Sequence, residues 1–201
     1  MERQTPVHAY FFGYGSLVNR NTHNYIDARP ARLSGWKRVW RHTDLRPVAY
    51  LTVVPDAGSE ITGLMAAVPD GGWVELDLRE RAYDRVDARD QIKHDMTHAP
   101  DVVVYSIPEG KHGKPSTTCP VLLSYLDVVV QGYLKEFDEA GAQDFFETTD
   151  GWDAPILNDR AAPVYPRSQN LSRAEQDFVD DMLAALNANV VFDRPGVVRR
   201  D

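Results

Sequence analysis

Cysteine is almost absent from this chain. Cys119 is the only one in 201 residues, so no disulfide can form within it and a reducing, cytoplasmic setting is expected. Basic charge is also scarce. Lys and Arg number 22 against 30 Asp and Glu, a formal net charge of −8, which argues against a nucleic-acid surface, because phosphate backbones are held by clustered Lys and Arg. No window approaches the roughly 18 apolar residues of a membrane-spanning helix. Met1-Glu2-Arg3-Gln4 leads into no apolar signal core. Neither nucleic acid nor membrane is therefore expected as a partner. The Gly-Tyr-Gly-Ser-Leu turn at 13–17 lacks the Gly-Lys-Ser/Thr ending of a P-loop and is not the Gly-x-Ser-x-Gly of a hydrolase elbow. His94 and His98 stand four apart, but Asp95-Met96-Thr97 supply no Glu and Pro100 cuts the segment short. No metal site is expected there.

What is present is ordinary globular material, 43% hydrophobic and 26% charged, enough for one domain with a real core. Residues 10–12 read as a buried strand ending at Gly13. A half-exposed strand is predicted over 31–42, and two more over 48–54 and 60–68, ending at Pro55 and Pro69. Pro69-Asp70-Gly71-Gly72 is a turn. Trp73, Leu76, Glu80 and Tyr83 share a helical stripe, predicting a short helix over 73–84. Strand character returns at 85–92 and 101–107, and 110–120 reads as a polar surface loop containing Cys119.

A helix over 121–139 would bury Leu122, Tyr125, Leu126, Val129, Tyr133 and Phe137. Another, over 171–188, starts with Ser172 and Glu175 in a capping-box pattern. Proline-rich 151–168 is expected to wrap over the core, with Trp152–Tyr165 a candidate lid, and Asp193–Asp201 forms a polar tail. Five or six strands followed by helices give an α+β class, a small mixed β-barrel with flanking helices and a helical C-terminal extension. Residues 1–140 are expected to form the main domain, with 141–201 packed on it.

Two motifs carry chemistry. In Phe11-Phe12-Gly13-Tyr14-Gly15-Ser16-Leu17 an apolar strand runs into a glycine turn. Such a turn gives a ligand access to the main chain, and its successive N–H groups can cradle a carboxylate or phosphate. In Leu76-Asp77-Leu78-Arg79-Glu80 one carboxylate lies on an apolar stripe, whereas Glu75, Asp77, Arg79 and Arg81 read as solvated. A carboxylate facing a core is costly unless paired or reactive, and burial raises its pKa. Glu80 is thus a candidate general base, or else a partner for an arginine such as Arg79, Arg38 or Arg46.

The motifs in this order resemble the gamma-glutamylcyclotransferase-like superfamily, with its ChaC-like and AIG2-like branches. Gly35-Trp36-Lys37-Arg38-Val39-Trp40 and Arg46 are similar to a stretch of the ChaC-like branch, and Ile61-Thr62-Gly63-Leu64-Met65 to the strand before its catalytic segment. Where that branch has glycines after Arg-Glu, this chain has Arg81-Ala82-Tyr83. The likeness spans about residues 10–130. It implies a small mixed barrel and a cofactor-independent reaction. The α-amine of a γ-glutamyl compound (glutathione, a γ-glutamyl amino acid or an amine) attacks its own γ-carbonyl and releases 5-oxoproline. It implies Glu80 as the base, Tyr14, Gly15, Ser16 and Leu17 as the substrate cradle, and Tyr125 as a substrate contact. A non-catalytic member of the same fold, binding a carboxylate ligand, is the alternative.

Overall fold

The structure, a computed structural model, describes residues 9–69 and 72–192. Asp70 and Gly71 of the 69–72 turn and the tail from Asp193 lie outside the described residues. The chain begins with β1 (Ala9–Gly13), whose Tyr10, Phe11 and Phe12 are all buried because both faces of the strand are covered. β2 (Ile26–His42) and β3 (Ala49–Val68) follow, joined by residues 43–48 into a long antiparallel hairpin. The two strands expected at 48–54 and 60–68 are thus one. Between the pairs Ser34↔Glu60 and Trp36↔Pro55 the register slips, so that Asp56–Ser59 bulge opposite Gly35. Gly35 lies at φ 80°, a conformation glycine adopts without strain, and β2 therefore bends with its partner instead of parting from it.

After α1 (Trp73–Arg79), β4 (Asp84–Asp87), β5 (Ile92–Lys93) and β6 (Val102–Ser106) complete the sheet, β4 and β5 at its edges. α1 stops well short of 84, and the strand expected over 85–92 is broken by a 3-10 turn at Arg89–Gln91. The strand order is β4-β6-β1-β3-β2-β5, with β1 and β6 parallel, in a sheet curled into a half-barrel. β7 (Val121–Leu122) leads directly into α2 (Leu123–Glu147). The helical track of α2 breaks at Asp138, φ 58°, close to where the apolar stripe predicts its end, and then resumes for another nine residues, 139–147. β8 (Thr149–Asp150) pairs with β2. β9 (Ile156–Leu157) and β10 (Val190–Val191) join β7 in a small parallel sheet, and α3 (Arg173–Ala185) lies between them in sequence. α3 carries the complete capping box of Ser172 and Glu175. Cys119, read as part of a solvated loop, is buried.

The main core gathers Phe12, Trp40, Leu64, Tyr133, Phe145 and Leu183, so residues from β1 to α3 share one apolar interior. A smaller cluster of Phe11, Leu17, Ala66, Val68, Leu76 and Tyr105 sits on the other face of β1. Burial of Leu76 there pins α1 to the sheet and sets the position of the residue that ends it, Glu80.

Candidate active site

At the end of β1 the chain turns through Gly13–Gly15 into a single 3-10 turn, Ser16–Val18. Neither glycine has a positive φ. What excludes a side chain is space. A Cβ on Gly13 would lie 2.7 Å from the Leu17 Cβ, and one on Gly15 would lie 2.6 Å from the Tyr125 hydroxyl. Tyr125, third residue of α2, thus leans over the turn, and its hydroxyl interacts with the Ser16 amide. Tyr14 points inward and donates to the Tyr105 carbonyl at 2.6 Å. Leu17 packs in the smaller core, where it holds the turn down.

Behind the turn lies a fully buried arginine. Arg38 is 0% exposed, its guanidinium carbon 5.2 Å from the ring centres of both Tyr133 and Phe145. It donates to the Tyr133 hydroxyl (2.8 Å) and to Thr148 Oγ1 (2.6 Å). The same hydroxyl reaches the carbonyls of Tyr14 (3.0 Å) and Thr62 (2.9 Å). Arg38 therefore braces the turn from behind and is not the partner of Glu80.

That partner is Arg79. Its Nε lies 3.0 Å from Glu80 Oε1, and both side chains are largely buried, 9% and 16% exposed. Arg79 Nη1 also donates to the Thr22 carbonyl (2.9 Å), and Nη2 to Ser16 Oγ (3.2 Å). The residue read as solvated is in fact the staple between the end of α1 and the glycine turn. Its spacing of three from Leu76 already placed it on the buried stripe. Despite this cation, burial raises the Glu80 pKa. Arg79 and Arg167 pull it the other way without cancelling the effect.

Glu80, Ser16 and Tyr125 line a cavity of about 680 Å³ that opens to solvent. A smaller recess behind it is lined by Gly13 to Leu17, Glu80 and Tyr125 again. The structure thus brings together every residue the sequence singled out: Tyr14, Gly15, Ser16, Leu17, Glu80 and Tyr125. Tyr83 was missed, and Tyr165 was named only as the end of the candidate lid; both line the cavity. Tyr83, counted as helical core, lies beyond the end of α1, donates to the Leu51 carbonyl at 2.9 Å, and lines both spaces. Burial raises its pKa well above 10.

Tyr165 packs edge-on to Tyr125, with ring centres 5.0 Å apart. Asp159 fixes this end of the 151–168 segment. It accepts from the Ser124 amide and hydroxyl at the start of α2 (2.8 and 2.6 Å) and from the Val164 amide (2.8 Å). Trp152, at the other end of the candidate lid, stacks on Phe146 in the core instead. Among the described residues no cluster of His, Cys, Asp or Glu is suited to a metal ion, and no helix is long and apolar enough to cross a membrane.

A curled mixed sheet with a glycine turn at the end of its central strand defines a class, the γ-glutamyl cyclotransferase-like fold. A structure named Gamma-glutamyl cyclotransferase shares it at 14% identity and TM-score 0.55, covering 86% of this chain and 98% of that one. So does the human protein loc79017, at 14% identity and TM-score 0.57, covering 87% and 99%. YkqA from Bacillus subtilis matches at 15% identity and TM-score 0.55 over 68% of this chain but only 52% of its own. The chain spans about half of YkqA. At such identities the likeness establishes the fold alone. The family follows from the sequence: the model of Gamma-glutamyl cyclotransferase, AIG2-like, matches residues 11–125. The chain belongs to this family, over more than half its length. No curated protein matches it.

Proposed function

We propose that the protein is a cofactor-independent γ-glutamyl cyclotransferase with Glu80 as its proton-transfer group. One observation carries this reading. A carboxylate whose pKa is lifted by burial stands beside a glycine turn and opens on a cavity large enough for a small ligand. The substrate's α-carboxylate would lie against the Gly15–Leu17 main chain, and its ammonium would face Glu80.

Free Glu near 4.3 and an α-amine near 8 make that proton transfer about 5 kcal/mol uphill. Raising the carboxyl pKa narrows the gap. The neutral amine then attacks the γ-carbonyl carbon, forming the ring C–N bond. Negative charge collects on the carbonyl oxygen, for which the Tyr125 hydroxyl and the turn amides are the nearby donors. Collapse breaks the original amide bond as Glu80 returns its proton to the departing nitrogen; the second proton, left on the ring nitrogen, follows through the same carboxylate, and 5-oxoproline and a free ammonium result. Because nucleophile and electrophile belong to one molecule, the protein need only fold the substrate and move the proton.

The test is 5-oxoproline release, followed by mass spectrometry, from γ-glutamyl dipeptides, a γ-glutamyl amine and glutathione. Glu80→Gln, nearly isosteric, should lower kcat/KM by about 10²- to 10⁴-fold. The Arg79 ion pair favours a second reading, in which Glu80 is structural and the cavity only binds carboxylates. Equal turnover by wild type and Glu80→Gln would remove the base role. Ligand binding with no release from any compound would leave the binding module.

A further inference from the structure

Four arginines, Arg46, Arg79, Arg81 and Arg167, line the 680 Å³ cavity, against a single carboxylate, Glu80. This is a positive enclave on a chain of formal net charge −8. Arg79 is saturated by Glu80, Ser16 and Thr22. The other three are exposed, and none has a side-chain hydrogen bond or ion pair among the described residues. They come from three separate stretches: the loop before β3, the loop after α1 and the 151–168 segment. Their fields still converge on the cavity. Arg46 and Arg81 both act on the Tyr50 hydroxyl, and Arg167 acts on Glu80. Elsewhere on this surface arginines find acidic partners, as Arg20 does in Glu136, Arg89 in Asp101 and Arg173 in Asp177. With Asp and Glu in excess, three neighbouring guanidiniums left without such a partner point to an anion supplied from outside.

We propose that the outer half of the cavity is an anion subsite selecting γ-glutamyl compounds whose departing amino acid or peptide carries at least two carboxylates. The proposal rests on the cyclotransferase reading, which decides the end of the substrate that faces outward. The glutamyl half occupies the glycine turn and Glu80, so its own carboxylate makes no demand on the rim. A departing amine without charge leaves Arg46, Arg81 and Arg167 all unmatched, and a monocarboxylate engages at most one fork in full. Two carboxylates on one small group match the rim's charge and geometry, since a guanidinium holds a carboxylate through two parallel N–H donors. Tyr50, Tyr165, Leu78 and Val164 line the same space and offer apolar wall to the connecting methylenes. The local field also attracts an acidic substrate that the molecule's net charge would otherwise repel.

γ-Glutamylglutamate and γ-glutamylglutamine have nearly the same shape and differ by one charge, so their ratio isolates the subsite. For wild type, kcat/KM for 5-oxoproline release should favour the glutamate compound about tenfold at low salt, equivalent to about 1.4 kcal/mol. The ratio should shrink toward one in 0.5 M NaCl, because these contacts are solvent-exposed and screened. It should fall to within about twofold of unity in the triple variant Arg46→Gln/Arg81→Gln/Arg167→Gln. Arg81→Gln and Arg167→Gln alone should each lower it, which serves if the triple variant folds poorly. A wild-type ratio near one, or a preference that survives in the variants, overturns the subsite. If wild type releases no 5-oxoproline from any compound, the cyclotransferase reading fails separately. Calorimetric titration of the same two dipeptides onto wild type then reads the anion preference as a ratio of Kd values. Tighter binding of the glutamate compound supports the subsite, and equal binding overturns it.

Discussion

Gly15 is held to glycine by the Tyr125 hydroxyl, and the two positions should behave as a pair. Adding a methyl group at 15 pushes against an oxygen 2.6 Å away, so Gly15→Ala should cost about 1–3 kcal/mol, the usual penalty of overpacking. In a Tyr125→Phe background the oxygen is gone and most of that penalty should disappear. Urea unfolding of the four proteins of this double-mutant cycle checks it. Strictly additive costs would mean that something other than the hydroxyl excludes the side chain. Arg79 teaches the complementary lesson at this scale. Its charge suggested solvent, yet its place on the stripe with Leu76 suggested burial, and the stripe prevailed because Glu80, Ser16 and Thr22 supply the partners that burial requires.

Among the elements, α2 presses closest on the site. A Cβ on Gly132 would lie 2.7 Å from the Asn19 backbone nitrogen, so the helix and the segment after the glycine turn meet almost main chain to main chain. Gly132→Ala should therefore destabilise the protein by about 1–3 kcal/mol even though alanine is the better helix former. A denaturation midpoint equal to or above that of wild type would show that the contact can relax. Periodicity revealed those elements long enough to repeat, namely β1, the two arms of the hairpin, α2 and α3. It could not reveal β5, β7, β8, β9 and β10, each two residues long, because a pattern of period two needs more than one period. It also split β3 at Pro55, since turn residues signal a break wherever the partner strand is unknown. Here the partner bends too, at Gly35. For the site, the glycine turn and Glu80 were legible as motifs, and Tyr125 through family resemblance. Tyr165 was legible only as the end of a candidate lid, because its place at the cavity depends on partners distant in sequence, Ser124 for Asp159 and Asp127 for Arg160.

For the molecule as a whole, two groups around the site oppose each other as pH changes. His23 accepts from the Tyr25 amide at Nδ1 and faces the Leu17 carbonyl with Nε2 at 3.0 Å. Burial lowers its pKa from 6.5 to about 4. Its neutral form thus supports the fold above 6.5, and that support is lost as pH falls toward 4. Glu80 runs the other way. Its pKa is raised in the fold, so its contribution is fully present below the ordinary carboxylate range and is lost as pH rises through the folded value. Unfolding free energies from pH 7 to pH 4 should fall less steeply for His23→Gln than for wild type. Over the same range Glu80→Gln should be most favoured relative to wild type at neutral pH. Profiles parallel to wild type would mean that neither group is coupled to folding.

The long β2–β3 hairpin closes over only residues 43–48, whereas the cavity draws its lining from Ser16 through to Arg167. Closing a short loop costs little entropy and closing a long one costs more, so pairing local in sequence tends to form early. During synthesis, then, the sheet can take shape on a nascent chain that still lacks its binding site. Only when the stretch around Asp159 to Arg167 has left the ribosome does the chain possess all the walls of its pocket.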